Sequence, residues 1–308
     1  MRERQQDLFD LAALARRRDR AMRLGFARGA DGGADFLHRE VAGLMAERLA
    51  EVTRTFSQVA LLGTGAGVVA AALRPVVAPG GAGLTQFDPS PAMAAAAGAE
   101  VLTGETLPLA EAAFDLVVST LLLHFANDPV GQLIQMRRAL RPDGLMLAAL
   151  FGGQTLHELR ASLAEAEVEC EGGLSPRVAP MAEIRDLGGL LQRAGFAMPV
   201  ADAERLTVTY ATPLHLMREL RAMGETNILT ARRRQPMRRR TLMRACEIYS
   251  QHFGTADGRV RATFEIVFLT GWAPGPGQPK PLRPGSATMR LADALGTEEI
   301  SAGEKAGR

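Results

Sequence analysis

The sequence predicts an α/β fold, with a doubly wound, mostly parallel sheet and an added helical C-terminal lobe. Short apolar runs alternate with helical patterns between residues 57 and 150, and this alternation is typical of a parallel sheet with helices on both faces. A glycine-rich turn, Gly63 to Gly67, follows the first run, and Asp88 ends the second. This order of strand, glycine turn, helix and terminal acid is typical of sheets that bind nucleosides.

Composition limits the class of protein. The chain has 308 residues, 47% of them hydrophobic, which is enough for one sizeable core and a lobe grafted onto it. Its 36 basic and 34 acidic residues nearly cancel, so no nucleic-acid partner is expected. Cys170 and Cys246 lie far apart, and no facial pattern of two histidines and a carboxylate is present. We therefore predict neither a disulfide framework nor a metal site.

The N-terminal residues favour a cytoplasmic protein. They are charged and include Glu3, Asp7 and Asp10, whereas secretory signals need an apolar run and transit peptides avoid acids. No stretch reaches the roughly 18 uninterrupted apolar residues of a membrane span. Richness in alanine, glycine and arginine indicates a bacterial origin. We expect a bacterial cytoplasmic protein whose contact with the inner membrane, if it has one, is peripheral.

The hydrophobic pattern places the elements of the first half in order. The strands share short, almost continuous apolar runs and are expected at residues 57–62, 83–87, 114–119 and 145–150. The helices follow capping residues such as Asp35 and Asp128, and they are expected at residues 37–49, 68–73, 91–97 and 129–140.

Beyond Gly153 the pattern changes to helices with two further strands. We expect helices at residues 155–170, 181–195, 213–224 and 236–253, and strands near 205–210 and 262–270. The strands can complete the sheet, and the helices would cover its ligand-bearing edge. We divide the chain into an N-terminal helical arm (1–34), a ligand-binding core (35–153), a helical lobe with the last strands (154–273) and a proline-rich, flexible tail (274–308).

The glycine turn and Asp88 predict a nucleoside site. A side chain at a turn glycine would occupy the ligand's space or forbid the turn, and a carboxylate ending the second strand suits the two ribose hydroxyls. Val68-Val69-Ala70 follows the turn where a diphosphate would need exposed helix amides, so the ligand is a nucleoside without phosphates. The alternative is a chance glycine pattern with Asp88 as a helix cap. The predicted contacts are Gly63, Thr64, Gly65, Gly67, Asp88, Pro89, Met93, Thr103, Glu105 and Ser119.

Two further segments resemble class I methyltransferases: the strand Ala113 to Ser119 and the turn Leu140 to Gly144. The resemblance implies a Rossmann-like sheet of seven strands and S-adenosylmethionine as the cofactor. Class I proteins commonly carry an acid where this chain has Leu61, and relatives often have aspartate where it has Thr103. Because both differences remove polar contacts, the resemblance also implies a weak or degenerate cofactor site.

Segments of the second half resemble the arginine hydroxylases that assist assembly of respiratory complex I. They are residues 121–128, 151–160, 171–177, 187–196, 223–227, 262–266 and 285–287. The resemblance runs from about Leu8 to Leu295. It implies that a methyltransferase fold hydroxylates an arginine of a complex I subunit, with S-adenosylmethionine bound.

An arginine substrate suits carboxylates, because a guanidinium pairs with them bidentately. The predicted catalytic residues are His124, Glu158, Glu225 and Asn227, and Glu171 and Ser175 are further candidates for binding the substrate. The alternative is that Glu158 and Glu225 are solvated helix residues and that His124 is a satisfied, partly buried ring.

Two arginine clusters, 16–20 and 232–240, are the main local charge features. We interpret them as solvated helix surface; docking to an acidic protein or an anionic lipid surface is the alternative.

Two other functions stay open. One is a true methyltransferase, such as the carrier-protein carboxyl methyltransferases, which Leu206 to Tyr210 and Leu220 to Gly224 resemble. The other is a non-catalytic assembly chaperone that has kept the fold, which Leu61 and Thr103 favour.

Overall fold

The computed structural model describes residues 7–26, 33–77, 83–278, 289 and 291–298. Its first compact unit, which ends at Gly275, is built on a seven-stranded sheet in the order β3-β2-β1-β4-β5-β7-β6. Strand β7 runs antiparallel to β5 and β6, and the other pairs are parallel. The strands are β1 (Gln58–Leu62), β2 (Gly83–Asp88), β3 (Glu100–Val101), β4 (Phe114–Thr120), β5 (Leu140–Phe151), β6 (Ala197–Tyr210) and β7 (Val260–Trp272).

Helices cover both faces of this sheet. They are α1 (Leu11–Leu24), α2 (Phe36–Ala50), α3 (Val68–Val77), α4 (Pro91–Ala97), α5 (Pro129–Ala139), α6 (His157–Glu171), α7 (Ile184–Arg193), α8 (Pro213–Met223) and α9 (Arg239–Phe253). One apolar core joins α2, α3, α6, α8 and α9 to one face, and a second joins α5 and α7 to the other. The second unit contains α10 (Leu291–Leu295).

Alternating side chains of β1 explain the two cores. Val59 and Leu61 belong to the first core, whereas Ala60 and Leu62 belong to the second, because successive side chains of a strand point to opposite faces. A strand buried on both faces is almost continuously apolar. The predicted doubly wound, seven-stranded fold with an added set of C-terminal helices is therefore confirmed.

Strand β6 is longer than its apolar signal. The sequence predicted a strand near 205–210, but β6 begins at Ala197 and includes Pro199, Asp202 and Glu204. It is one of the two edge strands of the sheet, where proline and charged side chains are tolerated. Asp202 and Glu204 both pair with Arg48 of α2.

The predicted caps are formed in part. Asp128 accepts a hydrogen bond from the Gly131 amide at 2.8 Å, as expected of an N-cap. Asp35 stands at the N-cap of α2 but makes no capping hydrogen bond; its carboxylate accepts from Arg39 at 2.7 Å instead. The first turn of α2 is thus stabilised by an ion pair between Asp35 and Arg39, four residues later.

The proposed division into arm, core, lobe and tail stays a prediction. The flexible tail expected at 274–308 lies largely outside the described residues. Within the described ranges, no helix combines the length and the apolar character needed to cross a membrane.

Candidate functional site

The turn between β1 and α3 favours glycine over other residues because of its backbone angles and its close contacts. Gly63, Gly65 and Gly67 all have positive φ angles, of 84°, 52° and 95°. A Cβ at Gly63 would lie 2.3 Å from the carbonyl oxygen of Thr120, and one at Gly65 would lie 2.9 Å from the ring of His38. The turn is therefore packed tightly against the end of β4 and against α2.

Asp88 fixes this turn to the end of β2. Its side chain is fully buried and accepts hydrogen bonds from the Thr64 amide and hydroxyl at 3.0 and 3.1 Å and from the Ser90 amide at 2.9 Å. Burial raises the pKa of Asp88, against the opposing charge of Arg18 and these hydrogen bonds. The cap of α4 is Ser90, which accepts from Met93; Asp88 is not the helix cap that the alternative interpretation required.

A cavity of about 480 Å³ lies between α1 and the carboxyl ends of β2 and β3. We call it the α1 cavity. Of the predicted cofactor contacts, Pro89 and Thr103 line it, together with Leu14 and Leu122. Pro89, which directly follows Asp88 in the chain, connects this cavity to the end of β2.

Three other predicted cofactor contacts lie elsewhere. Glu105 accepts hydrogen bonds from the Asn127 amide and the Gln132 side chain, and Met93 packs in a small cluster with Ala21 and Phe26. The hydroxyl of Ser119 is buried with no hydrogen-bond partner among the described residues. Glu105 and Met93 thus have structural partners, whereas Ser119 has an unused polar group at the end of β4.

A second cavity, of about 170 Å³, lies beneath the loop that follows α8. We call it the Glu225 cavity. Its walls are mostly apolar and include Phe125, Phe151 and Phe264. Among the described residues that line it, Glu225 is the only carboxylate. The cavity therefore has a mostly apolar wall that includes one carboxylate, Glu225, and one guanidinium, Arg177.

Arg18 of α1 binds Glu225 inside the protein. Its NH2 group lies 3.1 Å from Oε1 of Glu225, and their side chains are 1% and 5% exposed. The same NH2 group donates to the carbonyl oxygen of Leu121 at 2.7 Å. Leu121 follows β4 and has a positive φ of 47°, an uncommon conformation for this residue type. Glu225 Oε2 lies 3.9 Å from Nε2 of His124, too far for a hydrogen bond.

Electrostatics keeps Glu225 charged and the nearby histidines neutral. Burial alone would raise the pKa of Glu225, but Arg18 and His124 hold it below its ordinary value. Burial lowers the pKa of His124, although Glu225 opposes the change. Burial, with the charge of Arg18, lowers the pKa of His38 to about 4. At neutral pH the cluster is one ion pair beside two uncharged rings.

The solvated-surface interpretation of the arginine clusters is wrong for several members. Arg18 is buried, Arg17 donates to Thr226 at 2.9 Å, Arg232 pairs with Asp10 at 2.8 Å, and Arg233 pairs with Glu171. A helical signal could have found Arg18: it lies four residues after Leu14 and three before Ala21, both buried on α1.

The predicted catalytic residues divide into two groups. Glu225 and Asn227 line the Glu225 cavity, and His124 is beside it. Glu158 does not line the cavity: it is fully buried and bound to Thr263 of β7. The interpretation of Glu158 and Glu225 as solvated helix residues is therefore wrong, while the catalytic roles stay predictions.

Asn227 and the further candidate Ser175 hold neighbouring loops together. Asn227 donates to the Pro176 carbonyl at 2.6 Å and accepts from the Leu229 amide at 3.0 Å. Ser175 donates to Glu167, which also binds Arg177. These contacts fix the wall of the cavity.

The end of the sheet that carries the glycine turn and Asp88 contains buried polar atoms that suit a polar ligand. Within the described ranges, Arg18 Nε, His38 Nδ1 and Ser119 Oγ are buried without a hydrogen-bond partner. Such groups are costly unless something pairs with them. Together with Asp88 and the α1 cavity, they fit a nucleoside that carries a charged side arm. No group of three or more His, Cys, Asp or Glu side chains that could hold a metal ion occurs among the described residues.

Comparison with known proteins identifies the class. The family model described as a methyltransferase domain matches residues 61–148. The crystal structure of the YcgJ protein from Bacillus subtilis shares the fold, with a TM-score of 0.52 and 16% identity over 77% of this chain and 99% of that one. The chain is therefore a protein of the class I methyltransferase fold.

Sequence relatives identify the family. The chain is 39% identical to the mitochondrial arginine-hydroxylase NDUFAF5 of Danio rerio, over 84% of this chain and 82% of that protein. It is 34% identical to the malonyl-[acyl-carrier protein] O-methyltransferase of Laribacter hongkongensis, over 78% of this chain and 84% of that protein. The chain belongs to the NDUFAF5 arginine-hydroxylase family.

This family membership corrects the predicted location. We expected a bacterial cytoplasmic protein from the charged N-terminal residues and the composition. The zebrafish relative is named as mitochondrial, which contradicts that expectation. The prediction rested on overall composition and on a few charged residues, and neither is specific to one compartment.

Proposed function

We propose that this protein is an S-adenosylmethionine-binding enzyme that hydroxylates an arginine of a respiratory complex I subunit, with an external two-electron oxidant as the source of the oxygen atom. The observation that carries the proposal is Glu225 in the wall of an apolar cavity. Its Oε1 atom binds Arg18, and its Oε2 atom has no hydrogen-bond partner within the described residues. A buried carboxylate with a free oxygen in an apolar cavity suits a guanidinium, which pairs strongly with carboxylates.

The chain's residues also suit the cofactor. Asp88 would hold the ribose hydroxyls, and the α1 cavity, with Pro89 and Thr103 in its wall, would hold the base. When bound, the cofactor supplies a positively charged sulfonium with an activated methyl group. Thr103 in place of an acid makes this contact less polar than in many class I proteins.

Residues of the Glu225 cavity and its surroundings have three roles toward the arginine substrate. Glu225 binds and orients the guanidinium, and the apolar wall with Phe151 and Phe264 excludes water, which strengthens that ion pair. His124 is neutral at pH 7, because burial lowers its pKa despite the opposing Glu225. Its two ring nitrogens have no hydrogen-bond partner among the described residues, so the neutral ring can accept a hydrogen bond from a group bound beside Glu225.

A true methyltransferase is the second candidate, supported by the malonyl-[acyl-carrier protein] O-methyltransferase relative. The malonyl group of that protein's substrate is a carboxylate. Glu225 disfavours an anion in the cavity, and Arg177 in its wall is already paired with Glu167 at 2.5 Å. Both charged groups of the wall are thus paired, but Oε2 of Glu225 has no hydrogen-bond partner among the described residues, which supports a substrate that donates hydrogen bonds, such as a guanidinium.

Mass spectrometry of complex I subunits tests these functions. Subunits are purified from cells that lack the protein and are complemented with wild type, Glu225→Gln, or Glu169→Gln as a surface control. We expect one arginine peptide to carry an additional oxygen with wild type and Glu169→Gln, and to lack it with Glu225→Gln. A gain of one methylene would instead support methyl transfer. Unchanged peptides, with assembly restored by Glu225→Gln, would support the non-catalytic chaperone.

A further inference from the structure

Arg18 is held in place by its own helix. Next to it on α1, Asp19 accepts hydrogen bonds from the Ser90 hydroxyl at 2.6 Å and the Ala92 amide at 3.0 Å, at the start of α4. On the other side, Gly224 packs so closely that a Cβ there would lie 3.2 Å from Cα of Arg18. The position of the Arg18 side chain is therefore determined by contacts on both sides of α1.

The surroundings of Arg18 are those of the cofactor end of the sheet. Its guanidinium reaches the carbonyl oxygen of Leu121, directly after β4. Its charge acts on Asp88, the predicted ribose ligand, after the larger effect of burial. Together with burial, it also lowers the pKa of His38, whose ring packs against Gly65 of the glycine turn. The geometry agrees, because Leu121 follows Thr120, against which Gly63 of the turn packs, and Asp19, the next residue after Arg18, binds the same Ser90 that binds Asp88.

Arg18 has unused hydrogen-bonding capacity. A guanidinium has five N–H donors, and Nε of Arg18 is buried with no partner among the residues that the structure describes. In the same set of residues, Arg18 is the only lysine or arginine that is buried. A buried cation with a free donor is a binding group for an anion that enters the site.

The amino-acid end of S-adenosylmethionine carries such an anion. It bears an α-carboxylate and an ammonium, and taking a carboxylate out of water is costly unless a cation meets it. Leu61 of β1 is apolar and fully buried, so it makes no polar contact with this end. His38 is uncharged, since burial and Arg18 lower its pKa to about 4. Among the described residues, Arg18 is the buried cation that can meet the carboxylate.

We propose that Arg18 binds the α-carboxylate of the cofactor's amino-acid end, while Glu225 holds the other edge of the same guanidinium. This rests on the proposed function, because it requires S-adenosylmethionine as the cofactor. The charges then alternate from cofactor carboxylate to Arg18, to Glu225, to the substrate guanidinium. In such a row, binding of either ligand strengthens binding of the other. The cofactor carboxylate leaves the Arg18–Glu225 pair with excess negative charge, which favours the substrate guanidinium, and the guanidinium in turn favours the carboxylate.

Calorimetric affinities for two nucleosides test the proposal. S-adenosylhomocysteine has the amino-acid end, and 5′-methylthioadenosine has the same nucleoside without it. We expect the full-length wild type to bind the first more tightly. In Arg18→Met the affinity for S-adenosylhomocysteine falls about 10- to 100-fold, as expected for loss of a charge-assisted pair, while the affinity for 5′-methylthioadenosine stays unchanged. Arg16→Met, which removes an exposed arginine of the same helix, keeps both wild-type affinities.

A second variant separates binding from folding, because Arg18→Met leaves Glu225 buried and unpaired. The double variant Arg18→Met/Glu225→Gln leaves no buried charge unpaired, and we expect it to lose the preference for S-adenosylhomocysteine over 5′-methylthioadenosine (the discrimination between the two nucleosides) as the single Arg18→Met variant does. Glu225→Gln alone should keep this discrimination. Equal affinity losses for both nucleosides, or unchanged discrimination in the double variant, would overturn the role of Arg18 and leave the proposed function intact. Absence of S-adenosylhomocysteine binding to wild type would overturn both.

Discussion

Glu158 of α6 and Thr263 of β7 are joined by two hydrogen bonds inside the protein. The Thr263 hydroxyl donates to Oε1 at 2.6 Å and its amide donates to Oε2 at 3.2 Å. The carboxylate is fully buried, and its hydroxyl contact is 105 residues distant along the chain. Glu158 therefore fixes a helix of the C-terminal lobe to the antiparallel strand of the sheet.

Glu158→Ala is expected to lower the free energy of unfolding by about 2 to 4 kcal/mol, since it strands buried donors of Thr263. Urea denaturation measures this. In a double-mutant cycle with Thr263→Val, the two changes should couple by about 1 to 3 kcal/mol. Glu169→Ala, which breaks an exposed pair with Arg244, serves as the control and should cost less than about 1 kcal/mol. Loss of activity in a fully stable Glu158→Gln variant would contradict the structural role.

Gly63→Ala is expected to destabilise the protein more than Gly104→Ala. Both glycines have similar positive φ angles, of 84° and 85°, so both changes introduce backbone strain of about 1 to 2 kcal/mol. Only the Cβ at Gly63 would meet a backbone atom, the Thr120 carbonyl oxygen at 2.3 Å, and nothing lies within 4 Å at Gly104. The clash adds about 1 to 3 kcal/mol. Equal unfolding free energies for the two variants would show that the turn can move away from β4.

Stability should fall as pH decreases through the range from about 6.5 to 4. Burial and the charge of Arg18 lower the pKa of His38 to about 4 in the folded protein, against about 6.5 when it is unfolded. The unfolded chain binds the proton first, so stability is present above pH 6.5 and is lost as pH falls through this range, by up to about 1.4 kcal/mol per pH unit. His38→Leu should flatten the slope measured by urea denaturation. Replacement of the exposed His215 should leave it unchanged, and a wild-type slope in His38→Leu would exclude His38 as the source.

Asp88→Asn is expected to weaken binding of S-adenosylhomocysteine at least about 10-fold, because it removes the charge of the residue proposed to accept hydrogen bonds from both ribose hydroxyls. Calorimetry measures the affinity, and circular dichroism verifies that the variant is folded. Asp186→Asn, at an exposed position of α7, is the matched control. Wild-type affinity in a folded Asp88→Asn variant would restrict Asp88 to fixing the turn through Thr64.

The fold was predictable because its determinants are local. The apolar runs of β1 and β4, the turn glycines and the cap at Asp128 each depend on a few neighbouring residues. The first half of β6 was missed since Pro199 and the charged residues around it are typical of loops. Only its place at the edge of the sheet, which is a property of the whole fold, makes that sequence compatible with a strand.

The site was predictable only in part. Asp88 could be found because it lies one strand–helix–strand unit after the turn. The Arg18–Glu225 pair joins residues 207 positions apart, and no local pattern specifies which arginine meets which glutamate. No local pattern specifies the partner of Glu158 either. A glutamate at this position suggested catalysis, but its bonds to Thr263 of β7 give it a structural contact.

The contacts between the N-terminal segment and the loop after α8 affect when the Glu225 cavity can form during translation. Phe9 pairs with Leu229 in a β-bridge, and Asp10 binds Arg232, 222 residues later. During translation the N-terminal residues leave the ribosome first, yet their partners follow only after most of the chain has been made. Joining such distant residues also slows folding. The Glu225 cavity therefore acquires its final wall late: a nascent chain that ends before residue 225 lacks the lining residues Glu225 and Phe264 and also β7, the strand that joins β6 to the rest of the sheet.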